Sequence, residues 1–200
     1  KKLDTLLKNR DILVLSDEVY EHLIFDGQSH ESICRYPGLA SRSLVVGSFG
    51  KTFHATGWKC GFVLAPPQLT AEFRKVHQFV VFAVNTPVQH AIAGYLRNPE
   101  HYIHLGSFYQ EKRDLFLNMI KGSRFKAVPA SGTYFQLLNY SKISDEKETT
   151  FAERLTREFK IASVPVSPFY HNQEDNKVLR FCFAKTTETL EKAAEILCRI

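Results

Sequence analysis

Three short apolar runs, each closed abruptly by small or charged residues, constrain this chain more than any other feature. Ile12 to Leu15, extended by Ser16, stops at Asp17-Glu18; "SLVVGS" covers residues 43–48; "CGFVLAP" covers residues 60–66. Continuous apolar runs of this length suit parallel strands buried on both faces. About twenty-five residues with Gly and Pro turns separate the first two. Polar clusters follow the strand ends, at Ser16-Asp17 and at Ser48 to Thr52. In open α/β sheets that is where ligands sit.

Beyond Pro66-Pro67 the period changes to that of helices. Leu69, Phe73, Val76 and Val80 recur at helical spacing. Thr86 is the expected N-cap of a further helix, with Pro87 as its first residue. Residues 99–122 read as one long helix closed by Gly122. Strands are then expected around a turn in "RFKAVPASGTYFQLLNY", in "IASVPVSPFY" and in "KVLRFCFA". Amphipathic helices are expected over 148–160 and after Thr186 or Thr187. Residues 1–10 read as the tail of a helix with Leu3, Leu6 and Leu7 on one face. A chain that opens inside a helix is expected to be part of a longer one. The reading is α/β: residues 1–98 part of a large parallel or mixed-sheet domain, 99–122 a connecting helix, 123–200 a small α+β domain.

Composition removes several classes of function. The 200 residues are 44% hydrophobic and 24% charged, ordinary for a globular protein. The net charge of +5 is scattered, with no basic block to favour nucleic acid or a membrane surface. The longest apolar run, "FVVFAV", is far too short to span a bilayer. The four cysteines form no C-x-x-C pair and no zinc spacing, and read as buried free thiols of a reducing compartment. His101 and His104, placed on one helix face, lack a third metal ligand.

Lys51, framed by Gly50 and Thr52 at a strand end, admits three readings. A phosphate-cradling nucleotide loop needs a glycine at residue 45, where Val45 stands, and a helix where a strand follows within about ten residues. A solvated turn lysine is the commonest fate of such a residue. A Schiff-base lysine for pyridoxal phosphate needs an anion for the ring nitrogen and donors for the phosphate. Asp17, Tyr20, Ser48 and Lys59 supply them in that order. Glu18 is not expected to pair with Asp17, because strand neighbours point to opposite faces. Arg180 lies within an apolar run, where an unpaired charge is costly; it is either internally salt-bridged or bound to a substrate carboxylate. Tyr134, Phe135, Phe169 and Tyr170 are expected mostly in the core. Gly132 is expected in a turn that needs a positive φ. His54 is either a phosphate or partner contact or a solvated turn histidine.

The segments "SDEVYEHLIFDG", "SFGKTFHATGWKCGFVLAP", "HQFVVFAVNTPVQ", "SGTYF" and "VLRFCFAK" together resemble class I/II aminotransferases of pyridoxal-phosphate fold type I. The subgroup they most resemble contains the kynurenine/glutamine transaminases and the bacterial methionine aminotransferase. The likeness covers essentially the whole chain. It implies that Lys51 forms the Schiff base and that Asp17 partners the pyridinium. It implies that Tyr20 donates to the cofactor's 3-hydroxyl and that Ser48 and Lys59 bind its phosphate. Arg180 would clamp the substrate α-carboxylate and Phe82 would line the substrate pocket. Most of the wider family has Arg where Lys59 stands, so phosphate geometry is less constrained here. The implied reaction moves an amino group from a methionine, aromatic, glutamine or kynurenine-type donor to a 2-oxo acid, in a cytoplasmic homodimer with no metal. Alternatives on the same fold are a carbon–sulfur β-lyase and a cofactor-binding sensor domain of a transcriptional regulator. The family's N-terminal part, which supplies several walls of the site, would precede Lys1, so this stretch alone is expected to be inactive.

Overall fold

The apolar runs form a three-stranded sheet of β1 (Val14–Asp17), β2 (Ser43–Ser48) and β3 (Gly61–Leu64), in that order. The computed structural model describes residues 2–200. These fall into two units, one running through Leu105 and the other Gly106–Ile200.

β1 pairs with β2 in parallel, Val14 opposite Ser43 and Asp17 opposite Val46. β3 returns antiparallel, with Ser48 opposite Gly61. Because side chains alternate across a pleated sheet, this register sorts them into two faces. Val14, Ser16, Ser43, Val45, Gly47 and Phe62 share one. Leu15, Asp17, Val46, Ser48, Gly61 and Val63 share the other. The first face is covered by α1 (Lys2–Leu7), a 3-10 turn at Ile33–Arg35 and α2 (Pro37–Ala40). Leu7, Ile33, Leu39 and Val45 form its core, with Val14 and Tyr36 packed against it. The second face is open at β1, where Leu15 is 72% exposed. β1 is therefore not buried on both faces, as its unbroken apolar run suggested: an apolar run reports what a strand can bury, not which layers lie over it. In α1 only Leu7 is buried; Lys1 of the expected helix lies outside the described residues.

α3 (Phe49–Thr52) follows β2 directly. α4 (Pro67–Val80) and α5 (Thr86–Tyr95) complete the first unit's α-helices. Proline stands at the start of both, where its missing N–H and fixed φ are tolerated. The N-cap of α5 is Asn85 rather than Thr86: its side chain accepts from the Val88 amide at 3.2 Å. Residues 99–122 are not one helix. A 3-10 turn at Pro99–His101 precedes α6 (Leu105–Met119), which ends before Gly122. The break falls at residues 102–104, between the two.

The second unit is an antiparallel sheet in the order β4 (Lys126–Ala127), β5 (Phe135–Asn139), β7 (Val178–Cys182), β6 (Val164–Pro165). With it go α6, α7 (Glu148–Phe159) and α8 (Thr187–Arg199). Thr186 caps α8, accepting from the Thr189 amide at 3.3 Å. Alternation buries Gln136, Leu138, Leu179 and Phe181 on one face. Arg180, opposite Leu137 and Val164, lies on the other. Gly132 does not carry the positive φ expected of it; Thr133 does, at 64°. Phe169 and Tyr170 are exposed rather than in the core. Among the cysteines, all free, only Cys60 is buried. Among the described residues no helix is long and apolar enough to cross a membrane.

Gly61 tests the β2–β3 approach. A Cβ there would stand 2.6 Å from the Gly47 carbonyl oxygen, a backbone atom that cannot swing aside. Gly61→Ala is expected to lower stability by about 1–3 kcal/mol, read from the urea midpoint at unchanged m-value.

Candidate active site

The sheet places the first two candidate residues. Asp17 and Ser48 lie on the same open face, at the carboxyl ends of two parallel strands, by the register above. Asp17 is exposed and accepts from the Val19 amide at 3.3 Å. Tyr20 is half-buried in the turn that follows. That turn is closed by the Leu23 amide donating to the Tyr20 carbonyl at 2.9 Å.

Glu18 sets that turn from the opposite face. It is only 8% exposed. It accepts from the Ser16 hydroxyl at 2.9 Å and the Ile33 amide at 3.0 Å, and pairs with His30 Nε2 at 2.8 Å. Burial pushes its carboxyl up, but the hydrogen bonds from His30, Ile33, Ser32 and Ser16 outweigh burial and hold it below the usual 4.5. The 12-residue reach to His30 and the 15-residue reach to Ile33 were invisible in the sequence; a carboxylate beside a strand end was the only signal.

Lys51 is positioned by a one-turn helix. β2 ends at Ser48, whose backbone is still extended, and α3 begins at the next residue. The Thr52 hydroxyl donates to the Ser48 carbonyl at 3.3 Å. Phe49 and Phe53 flank Lys51 and anchor the turn: Phe49 packs on Phe62 at 5.2 Å, and Phe53 meets Tyr95 edge-on at 5.1 Å. Gly50 lets the following loop close in, since a Cβ there would meet Thr56 Cα at 3.0 Å. Lys51 is half-buried. Neither its ammonium nor the Ser48 hydroxyl has a hydrogen-bond or ionic partner among the described residues.

The remaining candidates are Lys59, Phe82 and Arg180. Lys59 is exposed, with a left-handed φ of 53°, at the end of a 3-10 turn at Thr56–Trp58. Phe82 is 84% exposed, just past α4, with φ 66°. Arg180 belongs to the second unit. It makes no salt bridge among that unit's described residues, and its Nε is buried without a hydrogen-bond partner. Its guanidinium carbon lies 4.3 Å from the Phe135 ring centroid and 5.7 Å from that of Phe169. It borders a cavity of about 390 Å³ with Phe135, Val164, Cys182 and Lys185. Phe169, set aside as core, thus belongs to the surroundings of Arg180. His101 and His104 do not share a helix: His101 stacks on Tyr95 at 3.7 Å, and His104 pairs with Glu100 at 3.0 Å. His54 takes a left-handed φ of 53°.

The family model for aminotransferase class I and II matches residues 1–197. The chain belongs to the class I and II aminotransferases. It is similar to the methionine aminotransferase of Escherichia coli, with 46% identity over 96% of this chain and 50% of that protein. It is 35% identical to the kynurenine–oxoglutarate transaminase of Dictyostelium discoideum, over 94% of this chain and 48% of that protein. An Escherichia coli crystal structure described as having a methionine aminotransferase function superposes with TM-score 0.95 and 45% identity, over 99% of this chain and 53% of that one. N-Succinyldiaminopimelate aminotransferase from Mycobacterium tuberculosis gives TM-score 0.92 and 28% identity, over 98% and 52%. The fold is that of the pyridoxal-phosphate fold type I aminotransferases. The chain spans about half the length of the curated relatives it matches.

The Glu18 network makes stability of this aminotransferase unit pH-dependent in a stated direction. A carboxyl held below its unfolded value contributes stability above about pH 4.5, and loses it as pH falls through the lower folded value. Unfolding midpoints of wild type should therefore drop between neutral pH and about pH 4 by more than those of Glu18→Gln. Equal drops would show that Glu18 carries none of the effect.

Proposed function

We propose that the protein carrying this chain is a pyridoxal-phosphate-dependent aminotransferase. It moves the amino group of a methionine, aromatic, glutamine or kynurenine-type L-amino acid to a 2-oxo acid. The observation that supports this best is the grouping at the sheet's carboxyl end: Asp17 and Ser48 on one open face, with Lys51 one helical turn later. The Ser48 hydroxyl and the Lys51 ammonium are both unclaimed by described residues.

These residues fit the cofactor by their chemistry. Asp17 would hold the positive charge of the pyridine nitrogen, and Tyr20 would donate to the ring's 3-oxygen. The Ser48 hydroxyl and Lys59 ammonium would bind the phosphate, Lys59 as a point charge rather than a fork. Bound there, pyridoxal phosphate supplies an aldehyde carbon for the amino group and a ring that accepts the electron pair left at Cα. Lys51 would hold that aldehyde carbon through its amine. Its Nζ would also be the group to take the proton from the donor Cα.

Arg180 suits the donor's α-carboxylate, because its planar fork matches two oxygens and no carboxylate of its own unit occupies it. Phe82 borders the donor side chain in this reading. Its φ of 66° is costly for an aromatic residue, and such strain gathers at functional positions. A second copy of the chain is the proposed partner. The apolar end of α4 supports it, where Phe79 and Val80 are 86% and 75% exposed. Four free thiols suit the reducing cytoplasm as its location.

Lys51→Ala decides the reading. Turnover of methionine or phenylalanine with a 2-oxo acid should fall by about a hundred-fold or more, with the fold intact by circular dichroism. Turnover at the wild-type rate would refute a role for Lys51 in the chemistry.

A further inference from the structure

Glu148 is the first residue of α7 and is fully buried, at 0% exposure. No cation pairs with it among the described residues. Its carboxylate instead accepts four backbone N–H groups. Oε2 takes those of Val166, at 2.8 Å, and Ser167. Oε1 takes those of Asn176, at 3.1 Å, and Val178, at 3.0 Å. Asp175 Oδ2 in turn accepts from the Glu148 amide at 2.8 Å, fixing the carboxylate's own backbone.

The two oxygens serve different segments of chain. Val166 and Ser167 open the 3-10 turn Ser167–Phe169, which brings Phe169 to 5.7 Å from the Arg180 guanidinium. Asn176 and Val178 lead into β7, which reaches Arg180 two residues later. One buried anion therefore ties the turn that carries Phe169 to the strand that carries Arg180. A buried carboxylate is tolerated only when hydrogen-bonded, and four charge-assisted bonds hold both segments to it. Glutamine cannot replace it. Its amide nitrogen donates, so either orientation leaves two backbone N–H groups facing a donor.

We propose that Glu148 is a positioning residue for recognition of the substrate α-carboxylate, acting through the pose of Arg180. The proposal rests on the reading of Arg180 as the carboxylate clamp.

The test uses the full-length holoenzyme with Glu148→Asp, Glu148→Gln, Arg180→Ala and the double variant Arg180→Ala/Glu148→Asp. Two measurements are made on each: steady-state kinetics with methionine, and calorimetric binding of 3-phenylpropionate against its uncharged analogue 3-phenylpropionamide. Aspartate keeps the charge and both acceptors but is one methylene shorter. Glu148→Asp should raise KM for methionine about ten-fold or more while kcat stays within about three-fold. It should weaken 3-phenylpropionate by a similar factor and leave 3-phenylpropionamide unchanged. In the Arg180→Ala background it should add nothing, the mark of two residues acting as one. Glu148→Gln should unfold at lower urea than Glu148→Asp, despite its closer size.

Equal loss of the acid and the amide, or additive effects of Glu148→Asp and Arg180→Ala, would overturn the proposal and leave Glu148 a structural residue. Wild-type stability of Glu148→Gln would overturn the need for a carboxylate. If Arg180→Ala alone leaves methionine KM and 3-phenylpropionate binding untouched, the clamp reading itself fails. That result is distinct from a normal Arg180 effect with a silent Glu148.

Discussion

The parallel pairing of Asp17 with Val46 is the constraint on which the candidate site rests. It fixes not only where the two strands end but which way each side chain points. A one-residue slip would exchange the faces of β1, turning Asp17 toward the core and Glu18 into the open. One feature opposes that slip. Glu18 would forfeit three hydrogen-bonding contacts on the covered face. Gly47 and Gly61 instead fix the alignment of β2 with β3, with the Phe62 ring and the Gly47 carbonyl respectively filling the space a Cβ would need. The geometry around Lys51 thus follows from backbone register, with Ser48 as the last residue of the ladder and Lys51 on the next turn.

The ionisable groups of the chain divide by task. Glu18 and Glu148 are buried acids whose lone pairs are consumed by backbone amides, a hydroxyl and an imidazole; they hold loops in place. Asp17, Lys51, Lys59 and Arg180 are the reverse, poorly satisfied within their own units and set at the ends or open faces of strands. Where such a group is withdrawn from water, as the Arg180 Nε is, it is costly to keep unless a ligand completes it. Arg180 states the contrast most sharply: aromatic rings approach its guanidinium, yet no carboxylate of its unit does.

Much of this was legible in the residue string. "SLVVGS" became β2 at its predicted ends, because an apolar run bounded by a turn and by Gly-Lys leaves little freedom in where a strand can stop. Lys51, Asp17 and Ser48 stand out as candidates because their chemistry is complementary and their order resembles a family; the structure puts Asp17 and Ser48 on one sheet face. What escaped were long-range effects. The openness of one β1 face depends on which layers exist above it. The helix expected over 99–122 hid a break at residues 102–104 that periodicity alone does not mark. The positive φ fell on Thr133 rather than Gly132 because turn geometry, not glycine's permissiveness, chooses the position. Glu148 stands at the start of an expected amphipathic helix with nothing in the string to single it out; its four amide donors arrive from 18 to 30 residues away.

The central claim is that Lys51, and no other lysine, carries the cofactor. The direct measurement is to incubate the full-length protein with pyridoxal phosphate, fix any covalent attachment with borohydride, and locate the added mass by peptide mapping. The account predicts a single stoichiometric adduct on the peptide containing Lys51. An adduct spread over surface lysines, or one on Lys59 with Lys51 unmodified, would contradict it.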